Sequence, residues 1–375
     1  MEGPARHCGR GIFRPASTVP SGRERALADV TPHSEKILRR WLIVTAFSVV
    51  ATIVVGGATR LTESGLSITE WKPVTGVVPP ISAQAWQAAY QQYLQIPEAQ
   101  TVHAGITLAQ FQSLYWWEWA HRIAGRVVGI VVLLPFLWFW RRRWIPPELF
   151  PRLVSLPLLV GAQGALGWYM VRSGLADRTS VSPYRLVAHL SLALLIFGIA
   201  VWTAAVLGRR GTGRVPAPNH VRPVVFCLTA AVVLTIMSGG FVAGLDAGRI
   251  FNEFPLMGGQ LVPAGYGTIS GLRNWFENPI AAQFNHRVVA VLLALSILIT
   301  WAVAERRWAA NLRRWVRLGA VVVVLQVALG IMTLLSGAPV GVAVLHQLGA
   351  VALLTVLLLT GVEASDAQLR GGERG

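Results

Sequence analysis

The chain has 375 residues, 54% of them hydrophobic and only 13% charged, with a mean hydropathy of +0.53. That balance excludes a soluble multi-domain protein and places the chain in a bilayer. The formal net charge of +16 does not indicate nucleic-acid binding, because the cations fall in short segments between apolar stretches instead of forming one continuous surface.

Residues 1–37 are basic, contain Pro and Gly, and lack a long apolar run, so 1–40 is expected to be a cytoplasmic N-terminal tail, mostly disordered, and not a cleaved secretory signal. A mitochondrial transit peptide is the competing reading, opposed by Glu2, Glu24 and Asp29. A hydrocarbon layer of about 30 Å takes about 20 apolar helical residues to cross. Eight stretches qualify: 41–59, 116–140, 153–171, 184–207, 223–243, 281–303, 315–336 and 341–362. They divide into an N-terminal half over 41–207, with a long external loop at 60–115, and a C-terminal half over 223–362, with a second long external loop at 244–280. Residues 208–222 form a cytoplasmic linker and 363–375 a cytoplasmic C-terminal tail.

Orientation follows from Lys and Arg, which are retained on the cytoplasmic side. Twenty-three of the 33 lie in the two tails and the loops on their side, against seven in the opposite loops; Arg122, Arg126 and Arg287 lie within spans. Both termini are therefore expected in the cytoplasm, in a bacterial inner membrane, with the mitochondrial inner membrane as the alternative. Cysteine is confined to Cys8 in the tail and Cys227 near the cytoplasmic end of the fifth span, so neither a disulfide nor a thiolate metal site is expected.

The chain repeats itself. The first span ends Gly56-Gly57-Ala58 and the fifth Gly239-Gly240-Phe241; the second carries His121-Arg122 and the sixth His286-Arg287. The third holds Gln163 and Gly167 where the seventh holds Gln326 and Gly330, and the fourth and eighth carry His189 and His346. Four helices per half is an even number, so the halves share one orientation about an axis along the membrane normal. The expected fold is all-α and integral to the membrane: eight transmembrane helices as two pseudo-symmetric four-helix bundles.

Each of the four histidines lies about five residues into its apolar stretch, roughly 7 to 8 Å below the outer surface at 1.5 Å per residue. A single intramembrane histidine is readily explained by a helix–helix hydrogen bond or an interfacial position. Four at one depth, only on even-numbered spans and in a duplicated pattern, point instead to paired ligands approaching a flat cofactor from both faces, as in bis-imidazole haem ligation. His121 would pair with His189, and His286 with His346. His7, His33, His103 and His220 fall in tails or loops and are expected to be solvated.

The copies differ at one telling place. Glu118 stands three residues before His121 on the same helical face, and its counterpart before His286 is Gln283, which cannot ionise. Only the first site owns a carboxylate, able to bind water or take protons; a solvated interfacial acid or a salt bridge to Arg122 is its plainer role. If both pockets hold porphyrin, the Glu118 site is the reactive one and the other carries electrons. Arg122 and Arg287 are candidates to meet haem propionates, with snorkelling to lipid phosphate as the alternative. Gln163 and Gln326 are expected to pack or bond between helices, the glycines near Gly56, Gly167, Gly240 and Gly330 to permit close helix approach, and Trp116, Trp117 and Trp119 to form an aromatic belt. The long external loops would cap the pockets.

Several long stretches in this order closely resemble the haem A synthase family over about residues 40 to 362: Arg60-Leu61-Thr62 through Gly76, Glu118-x-x-His121-Arg122, Tyr184-Arg185 ahead of His189, Phe254-Pro255-Leu256-Met257, His286-Arg287 and His346. The resemblance implies oxidation of the C8 methyl of haem O to a formyl group, giving haem A for terminal oxidases. It further implies that His286 and His346 hold haem b as cofactor, that His121 and His189 bind the iron of the substrate haem O, and that Glu118 is the catalytic residue. Some members carry a cysteine pair in the first external loop; this chain has none there and resembles the cysteine-free branch of proteobacteria and mitochondria, in which a thiol-based redox step is excluded. By the same analogy, haem O synthase and cytochrome oxidase assembly factors are expected partners, alongside membrane lipid and a possible homo-oligomer. The rival readings are a non-catalytic electron-transfer cytochrome holding haem b in both pockets, and a haem or small-molecule transporter built on parallel repeats.

Overall fold

A computed structural model describes residues 31–72, 75–176, 179–210 and 219–365. The expected disorder of the N-terminal tail falls mainly on 1–30 and lies outside the described residues, as do Cys8, His7, most of the linker and the C-terminal tail beyond Ser365.

Eight helices are long and apolar enough to cross a membrane. In chain order they are α1 (Pro32–Leu61), α4 (Leu108–Arg141), α5 (Phe150–Ala176), α6 (Pro183–Leu207), α7 (Val221–Gly244), α9 (Pro279–Arg307), α10 (Ala310–Leu335) and α11 (Val340–Ala364). Three shorter helices lie in the two long loops: α2 (Ala83–Tyr93), α3 (Pro97–Thr101) and α8 (Arg273–Glu277).

Helix starts are set by capping chemistry that hydropathy cannot see. Thr31 accepts from the Ser34 backbone while Ser34 bonds back to Thr31, and Pro32 follows, so α1 begins nine residues before its apolar stretch. Thr107 and Gln110 form the same reciprocal box at α4. Helix α4 therefore runs 34 residues, about 51 Å at 1.5 Å per residue, well over the thickness of a hydrocarbon layer of about 30 Å. His121 is thus much farther from its helix start than the other three histidines are from theirs, and equal depth cannot be read from helix starts alone. Asn278 caps α9 through the Ile280 and Ala281 amides, with Pro279 at the first helical position.

In the first half α1 packs against α4 and α6, and α5 packs against both of those, closing a ring. The second half repeats the ring, with α7 against α9 and α11 and α10 closing it. The halves meet where α6 touches α7 and α11, and where α1 touches α11. The shared core includes Leu42, Val132, Leu153, Ala200, Val232, Ile297 and Leu353. Trp41 anchors α1 to α4 through its indole N–H, which donates to the Val131 carbonyl at 2.7 Å.

Polar ties hold each end. At the linker end Arg210 pairs with Glu35 and Glu148, and Arg209 with Glu363. At the other end Arg60 meets Asp246 at 2.5 Å and Arg249 meets Glu63 at 3.4 Å, so the two external loops are cross-braced. Above α4, helix α2 lays Trp86 against Phe111 and Tyr115, and Leu66, Tyr93, Ile96 and Ala99 complete a second apolar cluster.

Candidate functional site: four histidines and their seats

Each even-numbered span carries its histidine against a glycine of the span before it. A Cβ built on Gly56 would lie 2.7 Å from Cε1 of His121, one on Gly167 3.1 Å from His189, one on Gly239 3.1 Å from His286, and one on Gly330 2.9 Å from His346. Real Cβ atoms essentially never come as close as the Gly56 and Gly330 distances and seldom as close as the other two, so all four glycines are seats for imidazole rings. Close helix approach was the sequence expectation; the ring contact is more specific, and in the third seat the residue is Gly239, not its neighbour Gly240.

The rings of His121 and His189 lie within electrostatic reach of one another, and so do those of His286 and His346. The outer ring nitrogens are held differently in the two halves. Ser238 Oγ sits 2.8 Å from Nδ1 of His286, and Gln326 Nε2 sits 3.1 Å from Nδ1 of His346 while donating to the His346 carbonyl at 2.9 Å. In the first half Gln163 donates to the His189 carbonyl at 3.0 Å, matching Gln326, but the buried Nδ1 atoms of His121 and His189 have no hydrogen-bond partner.

Among the described residues no three His, Cys, Asp or Glu side chains converge on a metal position. Pairs of imidazoles suit a metal whose other ligands come from a macrocycle, as in haem with two axial histidines. Holding Nδ1 by a hydroxyl, as Ser238 does for His286, would leave Nε2 free to serve as a ligand.

Glu118 is 2% exposed and fully engaged. Its Oε2 accepts from the Ser67 hydroxyl at 2.8 Å and the Ile68 amide at 2.7 Å; its Oε1 accepts from Arg122 Nε at 3.0 Å and Nη2 at 2.6 Å. Arg122 also donates to the carbonyls of Ile68 and Glu70. In the second half Gln283, also 2% exposed, donates to the Phe251 carbonyl at 3.1 Å, while Arg287 donates to Phe251, Glu253 and Leu256. The arginines therefore anchor the two long loops at equivalent places, and the buried Nε of Arg287 is left without a partner. The two anion-directed partners in the first half, Ser67 and Ile68 N–H, have a carbonyl in their place in the second.

His103 is not simply solvated, contrary to the sequence expectation: its Nδ1 lies 2.6 Å from the Tyr93 hydroxyl and its Nε2 3.7 Å from Glu63. His33 and His220 are exposed. Sequence reasoning missed Glu98 on α3, which is 5% exposed with Oε2 unpartnered. Burial, then the nearby carboxylates of Glu118 and Glu63, push its carboxyl up to about 8, against a weaker opposing pull from Arg60. Because the folded protein holds this proton more tightly than the unfolded chain, stability falls as pH rises from the ordinary value of 4.5 to about 8 and then levels off. Glu98→Gln should remove that part of the slope; thermal midpoints in detergent at about pH 6 and about pH 9 check it, and an unchanged slope in the variant would refute it.

Residues 39–358 match the COX15-CtaA family, described as cytochrome oxidase assembly protein. The chain belongs to this family. The "Heme A synthase" of Paracoccus denitrificans strain Pd 1222 is 42% identical over 351 residues, 92% of this chain and 91% of that protein. Those of Granulibacter bethesdensis and Rhodospirillum centenum are 45% and 46% identical, over 88% and 87% of this chain and the same shares of their own lengths. The four seated histidines and their glycines in this COX15-CtaA chain all fall within the matched span.

Proposed function

We propose that the protein is a haem A synthase that oxidises the C8 methyl of haem O to a formyl group. The observation that carries this reading is the single carboxylate: two matched histidine cradles, each beneath an arginine-anchored loop, of which only the first has an acid, Glu118, where the second has Gln283. Two permanent haem b sites of a plain electron carrier would give no reason for that difference. The relatives that bear the name haem A synthase support the same conclusion.

In this reading His286 and His346 hold haem b, whose chemistry when bound is one-electron transfer. His121 and His189 hold the iron of haem O and set its methyl near the Glu118 end of the cradle. A porphyrin methyl is too weak an acid for a carboxylate to deprotonate unaided, so oxidation must precede proton loss. Removal of two electrons, delivered to an external electron acceptor, and of two protons, with addition of water, gives the alcohol. A second such step gives the hydrated aldehyde, which loses water to leave the formyl group. Glu118 takes the protons. Both its oxygens are occupied, and of its four donors only the Ser67 hydroxyl can also accept, so Ser67 is the point at which water passes a proton inward.

The two rings of packed helices are read as two four-helix bundles side by side. The arginine-rich loops support a topology with both termini in the cytoplasm, and the bacterial relatives favour an inner membrane. Mass analysis of haems co-purifying with wild type, His121→Ala and His286→Ala tests the assignment. The first variant should lose haem O and its oxidised products and keep haem b; the second should lose haem b. Purified protein without haem, or loss of the same haem in both variants, would refute it.

A further inference from the structure

Helix α1 approaches its end with two consecutive glycines that serve different halves. Gly56 seats His121; Gly57 faces Gln347 of α11, whose carboxamide occupies the space a Cβ would need. Gln347 directly follows His346, and its Nε2 donates to the Ile53 carbonyl of α1 at 3.1 Å. That carbonyl is already the acceptor four residues before Gly57 in the helical ladder, and the missing side chain at Gly57 leaves room for the second donor.

Helix α7 repeats the layout with different chemistry. Gly239 seats His286, and Gly240 meets Val187 and Leu190 of α6, Leu190 directly following His189. Each glycine pair therefore holds a ring of its own half with one residue and, with the other, receives the neighbour of the opposite half's second histidine. One crossing is a hydrogen bond; the other is apolar packing. In hydrocarbon a carboxamide is unfavourable unless it has such a bond to make.

We propose that Gln347 is a positioning residue that ties the helix of the cofactor ligand His346 to the helix that seats the substrate ligand His121, fixing the two haem sites relative to one another. This rests on the histidine assignment above. The Leu190 crossing fills space without fixing a direction, so the coupling runs through the polar crossing.

The test uses full-length protein purified with its haems, comparing wild type with Gln347→Leu, which makes the polar crossing a copy of the apolar one, and Gly57→Ala, which displaces the carboxamide while leaving it in the chain. Haem content by mass analysis and the low-temperature electron paramagnetic resonance spectrum of the low-spin ferric haems are the readouts. Both variants should keep haem b at the wild-type ratio, lose roughly tenfold in substrate-haem occupancy, and shift the g values of the remaining substrate-haem signal. Unchanged occupancy and g values in both variants overturn the proposal, as does a shift confined to haem b. If Gln347→Leu fails to assemble, Gly57→Ala decides. If His121→Ala run in parallel retains the substrate haem, the histidine assignment falls and the bridge with it.

Discussion

Glu118→Gln should leave both haems bound and cut formyl production by about 10²- to 10⁴-fold, the range general acid–base groups contribute. The second half shows that the fold accepts glutamine here, since Gln283 sits buried beside Arg287 beneath a similarly anchored loop. In the first half, however, the partners are donors. A glutamine keeps one acceptor oxygen for the Ser67 hydroxyl, the Ile68 amide and Arg122, and one of these loses its bond at about 1–3 kcal/mol. Glu118→Ala is harsher, because it leaves the Arg122 guanidinium, itself largely buried, without its counter-charge, a loss of about 3–5 kcal/mol. A glutamine variant that retains haem but not activity would separate proton handling from loop anchoring. Wild-type formyl haem from that variant, measured by extraction and mass analysis, would remove Glu118 from the chemistry.

The glycine seats give the other large effect. Gly56→Ala should gain helix propensity, up to about 1 kcal/mol, yet lose about 10- to 100-fold in substrate-haem affinity, as expected when support around a ligating imidazole is disturbed. The added methyl would lie 2.7 Å from Cε1 of His121, and a ring fixed by iron cannot swing away as a free one can. Gly330→Ala should act in the same manner on haem b through His346. Gly161→Ala, where a Cβ meets nothing within 4 Å, is the matched control and should be silent. Haem content of the three purified variants is the measurement; substrate haem retained at the wild-type level in Gly56→Ala would show that the seat tolerates a methyl.

Much of this was legible in the sequence because the bilayer simplifies it. Eight apolar stretches became eight helices, since in hydrocarbon a chain must satisfy its own backbone and the helix does so locally. The duplicated histidines, Glu118 against Gln283, and the family resemblance all needed only residue identity and spacing. What remained hidden depended on contacts between distant segments. Arg122 looked available for an acidic ligand because nothing in the spacing from His121 shows that Ile68 and Glu70 turn their carbonyls towards it. His103 looked solvated because it lies in a turn and its Tyr93 partner ends helix α2, ten residues earlier. Glu98 carried no motif, and its burial follows from α2 folding over α4 and α3 packing against α5. One signal was available and under-read: Gly56, Gly167, Gly239 and Gly330 recur one span ahead of each histidine, a regularity that fits ring seats better than general helix contact.

Arg122 and Arg287 gather carbonyls at positions two residues apart in loops that otherwise share little, Ile68 and Glu70 in one, Phe251 and Glu253 in the other. Such agreement extends the internal repeat of the sequence into the loops, and it puts the difference between the halves in the orientation of a peptide plane as much as in a side chain. Where the first loop offers Ile68 N–H to an anion, the second offers the Phe251 oxygen. Replacing Gln283 alone by glutamate would set a negative charge against that oxygen, so an acid in the second half needs a change in the loop backbone as well as in the side chain.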